Sequence, residues 1–324
     1  MPADLMKQRT ERPWLSVIMP SHNGDRWLPE ALQSVVDQDD GGIEVVVVDS
    51  SDASDSLGIV AGFADRLRLQ PYRRTDLASW MEKTNFGVEV AAADWICMLH
   101  KDDLWLPGRS AAVRQWIAAH PTGTMHLHPA YIVDAGGKRL GRWRCPLPDG
   151  ASPVPRQLLL ERLLVQNFIA VPTPTLRRDA YLAVGGMDKE LWYTADWDLY
   201  LKLLAKGEVY YHDAALACYR IHGSSLTSSG SRSLGEFRNQ MQIVVNRHIG
   251  KLAGRQQQTR RLAAASIDLN VGLAAASCGG PMPLLKAMAR LLTLGPRGMQ
   301  RYFRDSRIIE RLYPRLRARL AGAL

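Results

Sequence analysis

The run Ile43-Glu-Val-Val-Val-Val48 narrows the choice of fold more than any other stretch of the chain. Consecutive β-branched residues bury both faces of a strand, as a parallel sheet covered on both sides by helices requires. Turn formers follow at once in Asp49-Ser-Ser-Asp52-Ala-Ser-Asp55, and these double as N-caps for a helix. Upstream, Leu15-Ser-Val-Ile-Met19 reads as a strand closed by the turn Pro20-Ser-His-Asn-Gly24. Apolar residues at 27, 28, 31, 32, 35 and 36 then give helical spacing over 27–38. Strand, turn, helix and strand in this order make a βαβ unit whose loops gather at one sheet edge.

A second apolar run, Trp95-Ile-Cys-Met-Leu99, stops abruptly at His100-Lys-Asp102-Asp103. Paired acids there sit at the carboxyl edge, where open α/β sheets bind ligands. Ser79-Trp-Met-Glu82 has the form of a capping box, so a helix to about residue 93 delivers the chain to this strand. Residues 67–70 suggest a weaker strand, Pro107 a helix through 119, and 124–143 a hairpin turning at Ala135-Gly-Gly137. Further on, Phe168-Ile-Ala-Val171 with Thr175-Leu176 reads as a short strand, and Gly185-Gly186 closes a helical turn. Asp196 is placed to cap a helix with the stripe Leu199, Leu203 and Leu204. Residues 209–221 are expected as one strand ending in Tyr219-Arg220-Ile-His222, with a polar breaker over 223–235. The remainder is helical in pattern, with apolar stripes Leu284, Leu285, Met288, Leu291, Leu292 and Ile309, Leu312, Tyr313, Leu316, Leu320.

Four cysteines without a C-x-x-C pair argue against a zinc ribbon or a disulfide framework and favour a reducing, cytoplasmic setting. The polar start of the chain does not read as a signal peptide, and no stretch reaches the roughly 18 apolar residues of a spanning helix. The nearest candidate, 262–280, is Ala-rich and interrupted by Asp268 and Asn270, so it is expected as a packed helix. Of the net charge of +9, residues 281–324 supply +8, from ten basic and two acidic side chains. A basic segment interleaved with Leu, Ile, Tyr and Phe suits packing on the body or peripheral contact with an anionic membrane face. No aromatic-lined groove or RNA-binding motif accompanies the charge, so a nucleic-acid partner is not expected.

Three acidic pairs fall at strand or helix ends: Asp49/Asp52, Asp102/Asp103 and Asp196/Asp198. Cations bound to phosphates take one or two protein carboxylates, so Asp102/Asp103 suits a Mg²⁺ or Mn²⁺ nucleotide site, the plain alternative being helix capping. Asp196, flanked by Trp192, Tyr193 and Trp197, is a candidate general base, or else a structural N-cap. His22, His100 and His222 each fall at an expected strand end, where imidazole can ligate Mn²⁺ or contact phosphate. Arg220 can neutralise a phosphate or make an ordinary salt bridge.

In this order the blocks resemble a family 2 glycosyltransferase of the GT-A fold, over about residues 15–225. The matching pieces are Ser16-Val-Ile-Met-Pro20-Ser-His-Asn23 with Ala31-Leu-Gln-Ser34-Val-Val-Asp-Gln38, Val46-Val-Val-Asp49, Asn85-Phe-Gly87 with Ala93-Asp-Trp-Ile96, Leu99-His-Lys-Asp102-Asp103, Gly185-Gly-Met-Asp188, Ala195-Asp196-Trp-Asp198-Leu and Tyr219-Arg220-Ile-His222. The resemblance implies a Rossmann-like, mostly parallel α/β sheet flanked by helices, divided as a leader 1–14, a catalytic domain 15–225 and a basic helical extension 226–324. It also implies that Pro20 and Asn23 line the nucleotide pocket, that Asp49 or Asp52 contacts the nucleoside, and that Asp102 holds a Mn²⁺ or Mg²⁺ ion on the diphosphate. His222 would reach that ion or a phosphate and Asp196 would be the base of an inverting transfer, while residue chemistry offers His100 as a further metal ligand and Arg220 as a partner of the departing diphosphate. His100 stands where the family's D-x-D has its first acid, and Ala195 where the base is usually preceded by Glu. The implied substrates are a nucleotide sugar, a UDP-sugar by preference, and a sugar or lipid-linked acceptor in envelope polysaccharide or glycolipid synthesis. Two alternatives stand beside this: a nucleotidyltransferase, disfavoured by the lack of a glycine-rich basic loop after the first strand, and a non-catalytic sugar-nucleotide or glycan-binding protein, motivated by His100.

Overall fold

Four parallel strands form the heart of the main sheet: β1 (Leu15–Ser21), β2 (Ile43–Asp49), β3 (Arg68–Arg73) and β4 (Trp95–Met98), in spatial order β4-β1-β2-β3. This computed structural model describes residues 12–52, 55–150, 152–223, 225, 233–277, 279–280 and 282–320. Most of the polar leader and of the polar breaker, Cys278 and the side chain of Leu320 lie outside the described residues. Val45 and Val47 pack on one side of the sheet and Val46 and Val48 on the other, so the β-branched run is buried on both faces as its composition requires.

The later strands are β5 (Leu104–Trp105), β6 (Gly123–Leu127), β7 (Ala130–Val133), β8 (Arg139–Trp143), β9 (Thr175–Arg177), β10 (Glu208–Tyr211) and β11 (Ala217–Arg220). They extend the main sheet to seven strands, β10-β6-β9-β4-β1-β2-β3, and build a second sheet, β5-β11-β7-β8. Among the described residues, β9 alone runs against its neighbours in the main sheet. The architecture is that of the GT-A fold, a mixed α/β sheet between helical layers.

Helices α1 (Leu28–Val36) and α2 (Ser56–Ala61) cover one face through Leu28, Leu32, Val35 and Val60. The other face is covered by α3 (Trp80–Val90), and the chain continues through α4 (Arg109–Ala119), α5 (Arg156–Val165), α6 (Arg178–Ala183), α7 (Ala195–Leu203), α8 (Leu234–His248) and α9 (Gln256–Ser277). The capping box is present: Ser79 Oγ accepts the Glu82 N–H and Glu82 Oε2 accepts the Ser79 N–H, both at 3.1 Å. Phe237, Met241 and Val244 of α8 join the same core as Leu163 of α5 and Leu199 of α7, which ties the helical C-terminal region to the sheet.

Three expectations are corrected. Within 124–143, β7 and β8 do form a hairpin, its turn held by Asp134 Oδ1 accepting the N–H groups of Gly136 and Lys138, but β6 leaves for the main sheet. The expected strand over 209–221 is two strands in different sheets, because His212 and Asp213 break the apolar run; β10 then pairs with β6 and β11 with β7. Asp196 is not the N-cap of its helix, for that position is Thr194 and Asp196 lies in the first turn.

The basic segment folds as α10 (Met282–Leu292), α11 (Gly295–Ser306) and α12 (Ile308–Leu320). Ala287, Leu291, Tyr302 and Ile308 pack on Leu262, Ala265 and Leu269 of α9. Glu310 pairs with Arg144 at 2.7 Å, and Gly141 lies beneath Pro314, where a Cβ would stand 2.7 Å from Pro314 Cγ. A glycine in β8 therefore lets α12 lie directly on the second sheet. The two apolar stripes are only partly spent in packing: Met282, Leu285, Met288 and Leu292 of α10 and Ile309, Tyr313 and Leu316 of α12 are exposed, each by more than half. Among the described residues no helix is long and apolar enough to cross a membrane.

Candidate active site

The carboxyl ends of β1, β4 and β11 and the start of α7 open onto one cleft of about 560 Å³, a size suited to a nucleotide or a disaccharide. After β1 the chain turns through Asn23 in a left-handed conformation (φ 51°), which asparagine tolerates better than most residues. Its N–H donates to Ser51 Oγ at 2.7 Å and its carbonyl accepts Lys101 Nζ at 2.8 Å. Lys83, buried on α3, donates to the Ser21 carbonyl and to Ser50 Oγ, both at 2.8 Å. Burial pulls its ammonium down to about 8 against the attraction of Asp49, so the lysine remains largely cationic near neutral pH.

At the end of β4 the two acids, both bordering the cleft, take different partners. Asp102 faces the cleft and accepts a hydrogen bond from His222 Nε2 at 2.9 Å, while the His222 ring lies 4.3 Å from that of Trp27. Asp103 is buried and accepts the Arg220 backbone N–H at 2.9 Å; burial and the neighbouring Asp102 push its carboxyl well up. Arg220 borders the cleft, but its guanidinium is engaged with the Asp102 and Ala135 carbonyls at 2.8 and 3.1 Å and with Glu30 at 2.5 Å. Its geometry is that of a brace on the Asp102 turn rather than of a free phosphate ligand. His100 lines the cleft with Nε2 lacking a hydrogen-bond partner among the described residues, and burial lowers its pKa.

Asp196 also lines the cleft and is 8% exposed. Asn167 Nδ2 donates to its Oδ2 at 3.0 Å and the Trp197 N–H to its Oδ1 at 2.8 Å. Burial raises its carboxyl to about 6 although both bonds favour the anion. Such a group is ionised near pH 7 yet basic enough to take a proton. Asp198, two residues on, faces away: it binds His248 at 2.8 Å, Arg247 at 3.0 Å and Lys202 at 3.2 Å. Burial would raise it, but these partners outweigh burial and bring it down to about 2.

Pro20, Asn23, His100, Asp102, Asp196, Arg220 and His222 thus share one cleft, whereas Asp49 and Asp52 do not line it. Asp49 is fully buried and spends its carboxylate on the Ser51 N–H and Oγ, and Asp52 is exposed. From the sequence, Asn167 opens a functional-looking block without a role of its own, and Lys83, Lys101, Arg311 and Arg315 are not singled out as site residues, yet all five line the cleft. Lys101 had a signal in its place beside Asp102. Lys83 and the two arginines had none, since helical periodicity does not say which charged residue a fold will bury.

Among the described residues no group of three or more His, Cys, Asp or Glu side chains is gathered to hold a metal unaided. Asp102 and His222 nonetheless fit a cation that takes its other ligands from phosphate and water, and the orphaned His100 nitrogen lines the same cleft.

The family model described as Glycosyl transferase family 2 matches residues 16–185. An uncharacterized glycosyltransferase of Haemophilus influenzae is 28% identical over 194 residues, covering 59% of this chain and 62% of that protein's length. Among solved structures, S. aureus TarS in complex with UDP-GlcNAc is similar with a TM-score of 0.63 at 18% identity, over 88% of this chain and 82% of that one. A Pyrobaculum calidifontis mannosyltransferase in complex with GDP-Man and Mn²⁺ is similar with a TM-score of 0.53 at 16% identity, over 95% and 87% of the two chains. With the family model spanning more than half of the sequence, including β1, β4 and the turns after them that border this cleft, the chain belongs to glycosyl transferase family 2.

Proposed function

We propose that this protein transfers a sugar from a nucleotide diphosphate sugar, a UDP-sugar by preference, to an acceptor hydroxyl with inversion at the anomeric carbon. One observation carries the reading: the Asp102–His222 pair and the raised carboxyl of Asp196 line the same cleft. Asp196 takes the proton of the acceptor hydroxyl as its oxygen bonds to the anomeric carbon; the bond from that carbon to the diphosphate breaks, and the nucleoside diphosphate leaves with the electron pair. Asn167 orients the base, and Lys83 and Lys101 place positive charge beside the turn after β1. Asp102 and His222 would hold a Mn²⁺ or Mg²⁺ ion, which when bound neutralises the diphosphate. Nucleotide-sugar complexes of the TarS and mannosyltransferase neighbours support this assignment of the donor.

The test is calorimetry with UDP-, GDP- and dTDP-sugars, with and without Mn²⁺, together with a hydrolysis and transfer assay over an acceptor panel. Binding accompanied by turnover supports the transferase. Tight binding with no turnover on any acceptor favours a non-catalytic nucleotide-sugar or glycan-binding protein instead.

We also infer that the exposed apolar faces of α10 and α12 rest on an anionic membrane surface, bringing the cleft to a lipid-linked acceptor. Positions 309, 313 and 316 recur at helical spacing on one face, and Lys286, Arg297, Arg317 and Arg319 are exposed on the same three-helix segment. Apolar side chains flanked by exposed cations complement acidic headgroups.

A further inference from the structure

Helix α12 turns two arginines the other way. Arg311 and Arg315 are one turn apart and fall opposite Ile309, Tyr313 and Leu316, and both line the cleft. Arg311 is 9% exposed, and among the described residues its Nε and Nη1 have no hydrogen-bond partner. Its guanidinium lies 5.3 Å from the centre of the Trp143 ring and hydrogen-bonds the Tyr193 side chain. Arg315 is half-buried and donates from Nη1 to the Arg311 carbonyl at 3.0 Å. A buried guanidinium without a salt-bridged carboxylate is costly, and a second cation beside it adds to the cost. Burial and the neighbouring Arg315 together lower the Arg311 pKa, as expected for like charges crowded in a desolvated place.

The position of the pair says which substrate it meets. Arg311 lies near enough to Asp196 to favour its ionised form, and both arginines act in the same way on the Tyr193 hydroxyl. Arg311, Arg315 and Tyr193 thus gather around the base, whereas Lys83 and Lys101 are bound to the turn after β1 that the transferase reading gives to the nucleotide. We propose that Arg311 and Arg315 form a subsite for a phosphate group carried by the acceptor. This rests on the transferase reading for the placement of the acceptor, although the anion site itself does not depend on turnover. Phosphate is preferred to carboxylate because two guanidinium groups match a doubly charged tetrahedral oxyanion better than a singly charged planar one. No motif marks this site, since both residues come from the C-terminal helices beyond the residues that the family model matches.

The full-length protein, saturated with UDP and Mn²⁺, is titrated with methyl phosphate and, separately, with glucuronate. Saturable binding of methyl phosphate to the UDP-loaded protein is expected, weakened about tenfold or more in both Arg311→Gln and Arg315→Gln, with glucuronate binding less tightly. Arg311→Lys should recover part of the loss. Equal methyl phosphate affinity in the native protein and both glutamine variants overturns the proposal, as does displacement of UDP by methyl phosphate, which would put the anion in the donor's diphosphate position. Should Arg311→Gln not fold, Arg315→Gln carries the test, because its side chain is half-exposed. Failure of UDP to bind at all would count against the donor reading alone; the same titration without UDP then decides the arginine pair.

Discussion

Asn167 donates its side-chain amide to Asp196 Oδ2 at 3.0 Å, across 29 residues of sequence, and so fixes the direction in which the proposed base presents its carboxylate. Asp196→Asn should lower turnover by about 10² to 10⁴ while donor affinity persists. With the carboxyl raised to about 6, turnover should climb as pH passes through that value. Asn167→Leu removes a bond to the anion and should move this rise to higher pH. Pursuing the pH–rate profiles of the three proteins checks both statements.

The same shift has a sign in stability. Because the folded value lies above the ordinary 3.8, the contribution of Asp196 is fully present below about pH 4 and is lost as pH rises through about 6. Asp196→Asn abolishes that loss, so the inactive variant should be more stable than the native protein near neutral pH, by at most about 3 kcal/mol. Denaturant unfolding of both proteins on either side of pH 6 measures the difference.

Asp102→Asn should sharply reduce activity and the Mn²⁺ dependence of UDP binding without unfolding the protein. His100→Asp restores an acid at the head of the turn and should tighten Mn²⁺ binding. An Mn²⁺ titration followed through UDP affinity reports both changes, and a titration unaltered in Asp102→Asn would remove Asp102 from the site.

Asp198 stands only two residues from the proposed base and should behave unlike it. Its carboxylate joins α7 to α8 through His248 and Arg247, and Asp198→Asn leaves buried partners unmatched. The expected cost is roughly 3–5 kcal/mol of stability, seen as a lower Tm, with the turnover of the folded fraction near that of the native protein.

The exposed faces of α10 and α12 can be checked with vesicles. Full-length protein should co-sediment with anionic vesicles at low salt, less so at high salt, and not with neutral ones, as expected when each basic residue near the surface contributes about 1 kcal/mol. Replacing Leu285, Leu292, Ile309 and Leu316 with Ser removes exposed apolar area and should abolish the binding. If that variant sediments as well as the native protein, these faces do not bind lipid.

Local chemistry made much of the fold legible. Ile43-Glu-Val-Val-Val-Val48 demanded a strand covered on both faces, Ser79 and Glu82 closed a capping box, and turn formers marked where β1 and β2 end. Such features depend on neighbours a few residues apart, and so does the placement of Asp102 and Asp196 at element ends.

What the tertiary structure alone decided is which way a side chain faces and what meets it there. The order of residues put Asp102 beside Asp103 and Asp196 near Asp198, but packing bound Asp102 to His222 and Asp103 to the Arg220 backbone, and turned Asp196 to the cleft and Asp198 to α8. Packing also split residues 209–221 between two sheets, engaged Arg220 with Glu30, and withdrew Asp49 behind Ser51. Arg311 and Arg315 reached the cleft because Gly141 admits α12 onto β8, a contact that spans more than half of the chain. Periodicity distinguishes the two sides of a helix; only long-range packing determines whether a side faces core, solvent or substrate.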